Sequence, residues 1–306
     1  MAMCGIVGIL FRRKNPELGA TIVEMMKRLQ HRGKDGAGVA LYGGLELDAD
    51  EYVMKVEVLG NGSIGRRKES IEELLAHYCQ IKGVELVRAG NEFEIVDYRI
   101  KGITFPQLRK LALGVQELDG VSVLSAGKFE MFKDVGYITH VDEAYGVSKR
   151  SGTHGIGHIR FSTESGVDRY HAHPFQSFLY PDITVVHNGQ ITNYWKTRAS
   201  LEAKGHYFTT DNDTECIVHY VADKLLEGYS LEEALESAVH DLDGPFAFII
   251  ATDSEIGVAK DKLGLRPALV TEDGDVFAIS SEEVALEPLG LDTEYLAPGE
   301  YRVFRK

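Results

Sequence analysis

Cysteine is scarce in this 306-residue sequence: Cys4, Cys79 and Cys216 are the whole set. Three scattered cysteines with no C-x-x-C pair form neither a disulfide framework nor a zinc site. Basic charge is also in deficit. Against 47 Asp and Glu residues stand 33 Lys and Arg, a formal net charge of −14 that argues against nucleic-acid or anionic-membrane partners. No segment has the apolar run of a membrane span. The N-terminus lacks the charged region, apolar core and cleavage site of a secretory signal. The expectation is a cytoplasmic protein, in which a free thiol stays reduced. The hydrophobic fraction, 44%, is enough for a real core, and the length suits one large domain or a domain with a sizeable insertion.

What is present begins with Cys4, in the run Met1-Ala2-Met3-Cys4-Gly5-Ile6-Val7-Gly8. A cysteine this near the start can become the first residue of a mature chain and carry both a thiol and a free α-amine. The amine, with a reference pKa of about 7.7–8.0, can take the proton of a thiol with a reference pKa of about 8.5 and return it to a leaving group. While Met1 to Met3 remain, that nitrogen is an amide and cannot act as a base.

Residues 4–11 read as a buried strand, and Glu17 to Gln30 as a helix with Leu18, Ile22, Met25, Met26 and Leu29 at helical spacing. A glycine-rich turn, 31–38, runs into Val39–Tyr42 without matching a phosphate-binding pattern. A separate block spans 60–127: helix 70–80, strands 84–88 and 93–99, helix 105–117 and an extended 121–125. No catalytic constellation lies in it, and Cys79 on its first helix reads as a buried structural thiol. Beyond it, 182–187 is a strand candidate and 214–227 an amphipathic helix. Ser230-Leu231-Glu232-Glu233 is a capping box, and 246–252, 256–260, 268–271 and 276–279 are short strands. This order suggests a layered α+β domain, not a doubly wound sheet.

Four clusters join Cys4 as chemistry-bearing: 157–163 (Gly-His-Ile-Arg-Phe-Ser-Thr), 171–175 (His-Ala-His-Pro-Phe), His187-Asn188-Gly189 and 211–215 (Asp-Asn-Asp-Thr-Glu). Each has an ordinary explanation by itself. Arg160 suits a surface ion pair, Asn188-Gly189 a tight turn, Asp213 a helix N-cap. A rival reading puts His171 and His173 on one face of a strand, binding a metal with His154, His158 or His187. No acidic ligand cluster accompanies them, so no metal site is expected.

Together these segments resemble the class II glutamine amidotransferases, a group of N-terminal-nucleophile hydrolases. Cys4-Gly5-Ile6-Val7-Gly8 is similar to the family's opening motif, and Arg32-Gly33-x-Asp35-Gly36-Ala37-Gly38 to its second. Residues 157–163 resemble its G-H-x-R-[YFW]-[SA]-T motif. His173-Pro174-Phe175, His187-Asn188-Gly189, 212–215, 243–247, 261–267, 280–282 and 298–300 follow in family order. The resemblance covers residues 4–306 apart from the 60–127 block. It implies a four-layer αββα sandwich with a small α/β insertion.

The resemblance also implies roles. Cys4 would attack the side-chain amide of L-glutamine and form a γ-glutamyl thioester, its own amine shuttling the proton. Asn188 and Gly189 would hold the oxyanion. Arg160 would pair with the substrate α-carboxylate through its fork geometry, Thr163 would support that end, and Asp213 would accept from the α-ammonium. Arg32 and His187 would be supporting residues, Arg32 ordering the nucleophile's surroundings. Residues 164–170, with Gly166 as hinge, resemble the family's glutamine loop. Two departures stand out: Cys4 and Arg160 lie about twice as far apart as in the family, which the insertion explains, and the leader precedes Cys4.

No phosphoribosyl, sugar-isomerase or ATP-pyrophosphatase module is recognisable. The insertion, with 192–196 and 211–215, resembles stand-alone glutaminase subunits of archaeal-type glutamate synthases, and the related N-methylglutamate synthase subunits. Both imply ammonia transfer to a separate synthase subunit carrying flavin and an iron–sulfur cluster. No cofactor is expected on this chain, whose three cysteines cannot supply a Cys₄ cluster site. A catalytically latent, glutamine-sensing subunit is the alternative if the leader stays. A homo-oligomer is left open.

Overall fold

A computed structural model describes residues 4–60, 62–161 and 166–306. The leader and Thr163 lie outside the described residues. The chain forms two compact units: one runs up to Gly44 and resumes at Phe132, and the other is Leu45–Met131.

In chain order the elements are β1 (Gly5–Asn15), α1 (Leu18–Arg28), β2 (Gly36–Tyr42), β3 (Glu51–Leu59), α2 (Ile64–Tyr78), β4 (Gln80–Ala89), β5 (Phe93–Lys101), α3 (Phe105–Gln116) and β6 (Val121–Gly127). Then come β7 (Glu130–Asp134), α4 (Ile138–Tyr145), β8 (Gly152–Arg160), β9 (Phe175–Ser177), β10 (Ile183–Gly189), α5 (Tyr194–Ala203), α6 (Asp213–Leu226) and α7 (Leu231–Asp241). The last are β11 (Phe246–Ala251), β12 (Glu255–Lys260), β13 (Leu269–Asp273), β14 (Val276–Ser280), β15 (Glu294–Tyr295) and β16 (Tyr301–Arg305).

The first unit is an αββα sandwich. Its seven-stranded sheet has the order β15-β13-β14-β1-β8-β2-β7, and its five-stranded sheet β16-β12-β11-β10-β9. Helix α1 lies on β1 and β8, burying the helically spaced Leu18, Ile22, Val23, Met25 and Met26. Helices α6 and α7 cover the other sheet, α6 on β9 and β10, α7 on β12 and β16. The α7 capping box forms as the sequence suggests: Glu233 N–H donates to Ser230 Oγ at 3.2 Å, and Ser230 N–H to Glu233 Oε2 at 2.8 Å. Between the sheets the core is apolar, with a few paired polar groups crossing it. Tyr42 Oη on β2 meets Thr184 Oγ1 on β10 at 2.7 Å, and His158 Nε2 on β8 donates to the His187 carbonyl on β10 at 3.1 Å.

The second unit is a four-stranded antiparallel sheet, β4-β5-β3-β6, with α2 and α3 on it. Buried Ile71 and Leu75 of α2 pack with Leu108, Leu111, Ala112 and Val115 of α3. The expected α-β-β-α-β pattern lacks its first strand. β3, at 51–59, precedes residue 60 and is central, paired to both β5 and β6. Its buried Glu51, Lys55 and Glu57 disguise it. Lys55 is neutralised by Asp97 at 2.7 Å and Glu51 by Arg99. Helix α2 begins at Ile64, not 70, because its first turn is polar and carries no apolar period. Cys79 is the half-buried C-cap of α2, its Sγ donating to the Leu75 carbonyl at 3.2 Å.

Candidate active site

The register of β1 on β8 sets Gly5 opposite Ile159, so Cys4, one residue ahead, falls at the end of β8 beside Arg160 and Phe161. The Phe161 backbone brackets the sulfur. Its N–H donates to Sγ at 3.3 Å, and the thiol reaches its carbonyl at 3.4 Å. Burial pushes the Cys4 thiol pKa up, outweighing the Phe161 hydrogen bond and the Arg160 and Arg32 charges that favour thiolate. The thiol therefore needs a base at hand.

Arg32, in the 3₁₀ turn after α1, is buried. Its Nε donates to the Cys4 carbonyl at 2.8 Å, and its other arm pairs with Glu282, which also takes His31 Nε2 at 2.9 Å. Gly33 is needed beside it, since a Cβ there would come within 2.3 Å of the Arg160 carbonyl. Arg160 ends β8 opposite Gly36 and is buried. Burial lowers its pKa from the usual arginine value, against Asp168, Cys4 and Asp35.

Asn188 and Gly189 end β10. The Asn188 side chain is only 2% exposed, and its Nδ2 has no hydrogen-bond partner among the described residues. Gly189 has φ of 141°, and a Cβ there would stand 2.0 Å from the Pro245 carbonyl. Its register partner Phe246 turns both backbone groups to Asp261, N–H to Oδ2 at 3.1 Å and carbonyl to N at 2.9 Å. The two groups of one residue in an antiparallel strand point the same way, so Phe246 leaves the Gly189 N–H untouched.

Asp213 opens α6, but the N-cap is Asn212, whose Oδ1 accepts from Thr214 N at 3.0 Å. Asp213 is thus not the cap. Its Oδ2 accepts from Ile191 N at 2.8 Å, and its Oδ1 lies 3.7 Å from His187 Nδ1. Cys4, Arg160, His187, Gly189 and Asp213 line one pocket of about 660 Å³, with His173, Trp195 and Thr214 also on its wall. Arg32 and Asn188 do not line it; Arg32 bonds the Cys4 carbonyl and Asn188 lies between the lining residues His187 and Gly189 in the chain.

The shared histidine face is absent. Residues 170–173 form a turn, not a strand. His171 is half-exposed and bonds Asp168 at 2.7 Å, whereas His173 is buried with Nε2 2.7 Å from Thr214 Oγ1. His154, on β8, bonds the Thr252 carbonyl at 2.7 Å and stacks on Tyr42. Among the described residues no group of three His, Cys, Asp or Glu is placed to hold a metal ion. Burial holds His154, His158, His173 and His187 neutral, pushing His154 down to about 4 and His158 to about 3, with His173 and His187 also lowered.

Three further groups support the pocket. Asp134 on β7 accepts Arg169 Nη2 at 3.0 and 3.1 Å and the Tyr145 hydroxyl at 3.0 Å. Lys133 donates to the carbonyls of Ala172 at 3.0 Å and Pro174 at 3.3 Å. Glu215 accepts from both N–H and both hydroxyls of Thr209 and Thr210 at 2.7–2.8 Å. Sequence reasoning missed these roles. The available signal was adjacent charge, Lys133-Asp134, directly after the apolar Met131-Phe132 in β7.

A family model for the glutamine amidotransferase domain matches residues 160–288. A protein of Methanothermobacter thermautotrophicus named "Putative glutamine amidotransferase" is 50% identical over 99% of both chains. The glutamine amidotransferase-like protein GlxB of Rhizobium meliloti is 33% identical over 93% of this chain and 91% of its own. Among solved structures, glutamine phosphoribosylpyrophosphate amidotransferase from B. subtilis shares the fold. Its TM-score is 0.63 at 23% identity, covering 99% of this chain and 47% of that one. The two-sheet sandwich, the cysteine at the edge of its pocket and end-to-end identity with such relatives agree: the chain belongs to the class II glutamine amidotransferases, enzymes of the N-terminal-nucleophile hydrolase fold.

Proposed function

We propose that this chain is a glutaminase subunit that hydrolyses L-glutamine through Cys4 and hands the ammonia to a separate synthase subunit, most plainly that of a glutamate synthase. The observation carrying the chemistry is the pocket that gathers Cys4, Arg160, Gly189 and Asp213, next in sequence to a buried Asn188 amide nitrogen without a hydrogen-bond partner among the described residues. Glutamine is a zwitterion with a carboxamide at its far end. Arg160 pairs with the α-carboxylate, Asp213 takes the α-ammonium, and the carboxamide reaches Cys4.

The Cys4 sulfur attacks the carboxamide carbon while its proton passes to the Cys4 α-amine. The oxyanion is held by Asn188 Nδ2 and Gly189 N–H, and the amine returns the proton to the leaving nitrogen. Ammonia departs, and water then cleaves the thioester to glutamate. A buried thiol with a raised pKa suits a base on the same residue, which needs Met1 to Met3 removed. The family resemblance assigns Thr163, outside the described residues, to support of the α-carboxylate.

A separate acceptor is supported by the two relatives matched end to end, each of which has little chain beyond the shared region. The flavin and iron–sulfur cluster of a glutamate synthase would sit on the partner. No described helix is long and apolar enough to cross a membrane, and a working thiol is suited to the reducing cytoplasm. Intact mass and glutamine turnover test the first half. Mature protein starting at Cys4 should release ammonia, and a retained leader with no turnover would favour a latent glutamine sensor. Affinity capture from native extract, followed by 2-oxoglutarate-dependent glutamate formation, tests the second. A partner that accepts ammonia elsewhere would overturn the glutamate synthase assignment, one forming N-methylglutamate included.

A further inference from the structure

One hydroxyl joins three segments of the pocket. Thr214 Oγ1 lies 2.7 Å from His173 Nε2 and 3.0 Å from His187 Nδ1. His173 closes the segment that leads back from the glutamine-loop region into β9. His187 immediately precedes Asn188 and Gly189 on β10, and Thr214 immediately follows Asp213 on α6. All three side chains are buried.

Proton counting makes the bridge directional. A hydroxyl has one proton, so it can donate to at most one of the two imidazoles and must accept an N–H from at least one. The imidazole that accepts must be neutral, and burial keeps both His173 and His187 in that form. A third ring packs against this bridge: His158 Nε2 donates to the His187 carbonyl at 3.1 Å, and the His158 ring lies 3.9 Å from that of His173 between centroids.

We infer that Thr214 is a positioning residue whose hydroxyl locks the Asp213 end of α6 to the Asn188–Gly189 end of β10 and to the His173 segment. This rests on the glutaminase reading above. Glutamine must touch both ends at once, its ammonium at Asp213 and its carboxamide oxygen at Asn188 and Gly189. If the two ends slide apart, the carboxamide carbon is misplaced relative to Cys4, and a displacement of about 1 Å costs on the order of 100-fold in rate.

Thr214→Val keeps the shape and removes the hydroxyl, whereas Thr214→Ser keeps the hydroxyl and removes the methyl. Thr214→Val is expected to lower kcat for glutamine hydrolysis by roughly 10- to 100-fold and to raise KM as well. Thr214→Ser should stay within a few-fold of the parent in both. Alkylation of Cys4 by iodoacetamide should proceed at the parental rate in each, since the nucleophile's own surroundings are untouched. Parental kcat and KM in Thr214→Val would overturn the inference, and so would Thr214→Ser impaired as deeply as Thr214→Val. So would a slowed Cys4 alkylation, the mark of general disruption. If the valine variant does not fold, Thr214→Ala takes its place with the same expectations. Absence of glutamine turnover in the mature parent protein would instead overturn the glutaminase reading, and this inference with it.

Discussion

A buried amide nitrogen without an acceptor costs roughly 1–3 kcal/mol, and Asn188 Nδ2 is such a group among the described residues. A strand end in an apolar sandwich would be more stable with a hydrocarbon there. Its persistence fits a group whose acceptor arrives only with the reaction. Asn188→Ala is therefore expected to lower kcat by about 10²–10³ with little change in KM. Steady-state kinetics on folded variant decides it, and a rise confined to KM would assign Asn188 to ground-state binding. Arg160 makes the opposite prediction. Lysine keeps the charge but loses the planar fork, so Arg160→Lys should raise KM for glutamine well over the change in kcat. Cys4→Ser should abolish turnover, and undiminished hydrolysis would remove Cys4 from the mechanism. At this scale the sequence named the residues but not their partners. Cys4, Arg160 and Asp213 stood in short motifs, whereas the bonds of Arg32 to the Cys4 carbonyl and to Glu282 span distant parts of the chain that no local pattern encodes.

At the scale of elements, strand β8 carries two buried histidines, His154 held at about 4 and His158 at about 3. Desolvation is the main cause in both. An unfolded chain returns them to about 6.5 and binds more protons wherever the pH lies between the two values. Stability from this source is thus complete above about pH 6.5 and is lost progressively as pH falls toward 3. Melting temperature should be flat near pH 7–8 and drop through pH 6 to 4.5, and a constant value down to pH 4.5 would contradict neutral burial. Strand β7 supports a second element-scale prediction. Its Asp134 and Lys133 hold Arg169 and the carbonyls of Ala172 and Pro174, the base of the segment resembling a glutamine loop. Asp134→Asn should raise KM for glutamine several-fold while thermal stability falls by only about 1–3 kcal/mol. Elements with clean periodicity were legible, as with α1 and the capped α7. Strand β3 was not, because Glu51, Lys55 and Glu57 are buried between its apolar Tyr52, Met54, Val56 and Val58, and the partners of Lys55 and Glu51, Asp97 and Arg99 on β5, lie 42 and 48 residues on. The rival reading of His171 and His173 as one strand face fails because the segment before β9 is a turn, although alternating histidines mimic period two.

On the scale of the whole molecule, the chain is an enzyme unit interrupted by a second compact unit, Leu45–Met131, with its own sheet and its own two-helix core. Every residue placed in the proposed chemistry belongs to the first unit. The second contains a charged cleft of about 580 Å³ lined by Glu46, Asp48, Glu51, Lys82, Arg99 and Lys101. Most of those charges are spent on one another, Arg99 on Glu51 and Lys101 on Asp48, so the cleft offers no free catalytic pair. Its edge strand β4 is mostly exposed, including Val84 and Leu86. Replacing 45–129 by a short linker, which spares β7, should therefore leave glutamine hydrolysis largely intact, because both sheets of the sandwich are built from residues outside that stretch. Ammonia release measured on a folded excision variant checks this, and lost turnover despite a parental fold would mean that the second unit contributes to the site. The same variant separates two uses of the unit. If capture of the synthase from extract fails while hydrolysis persists, the inserted unit is the docking element. If capture persists, docking belongs to the sandwich, and the mouth of the pocket at the exposed Trp195 becomes the face to probe.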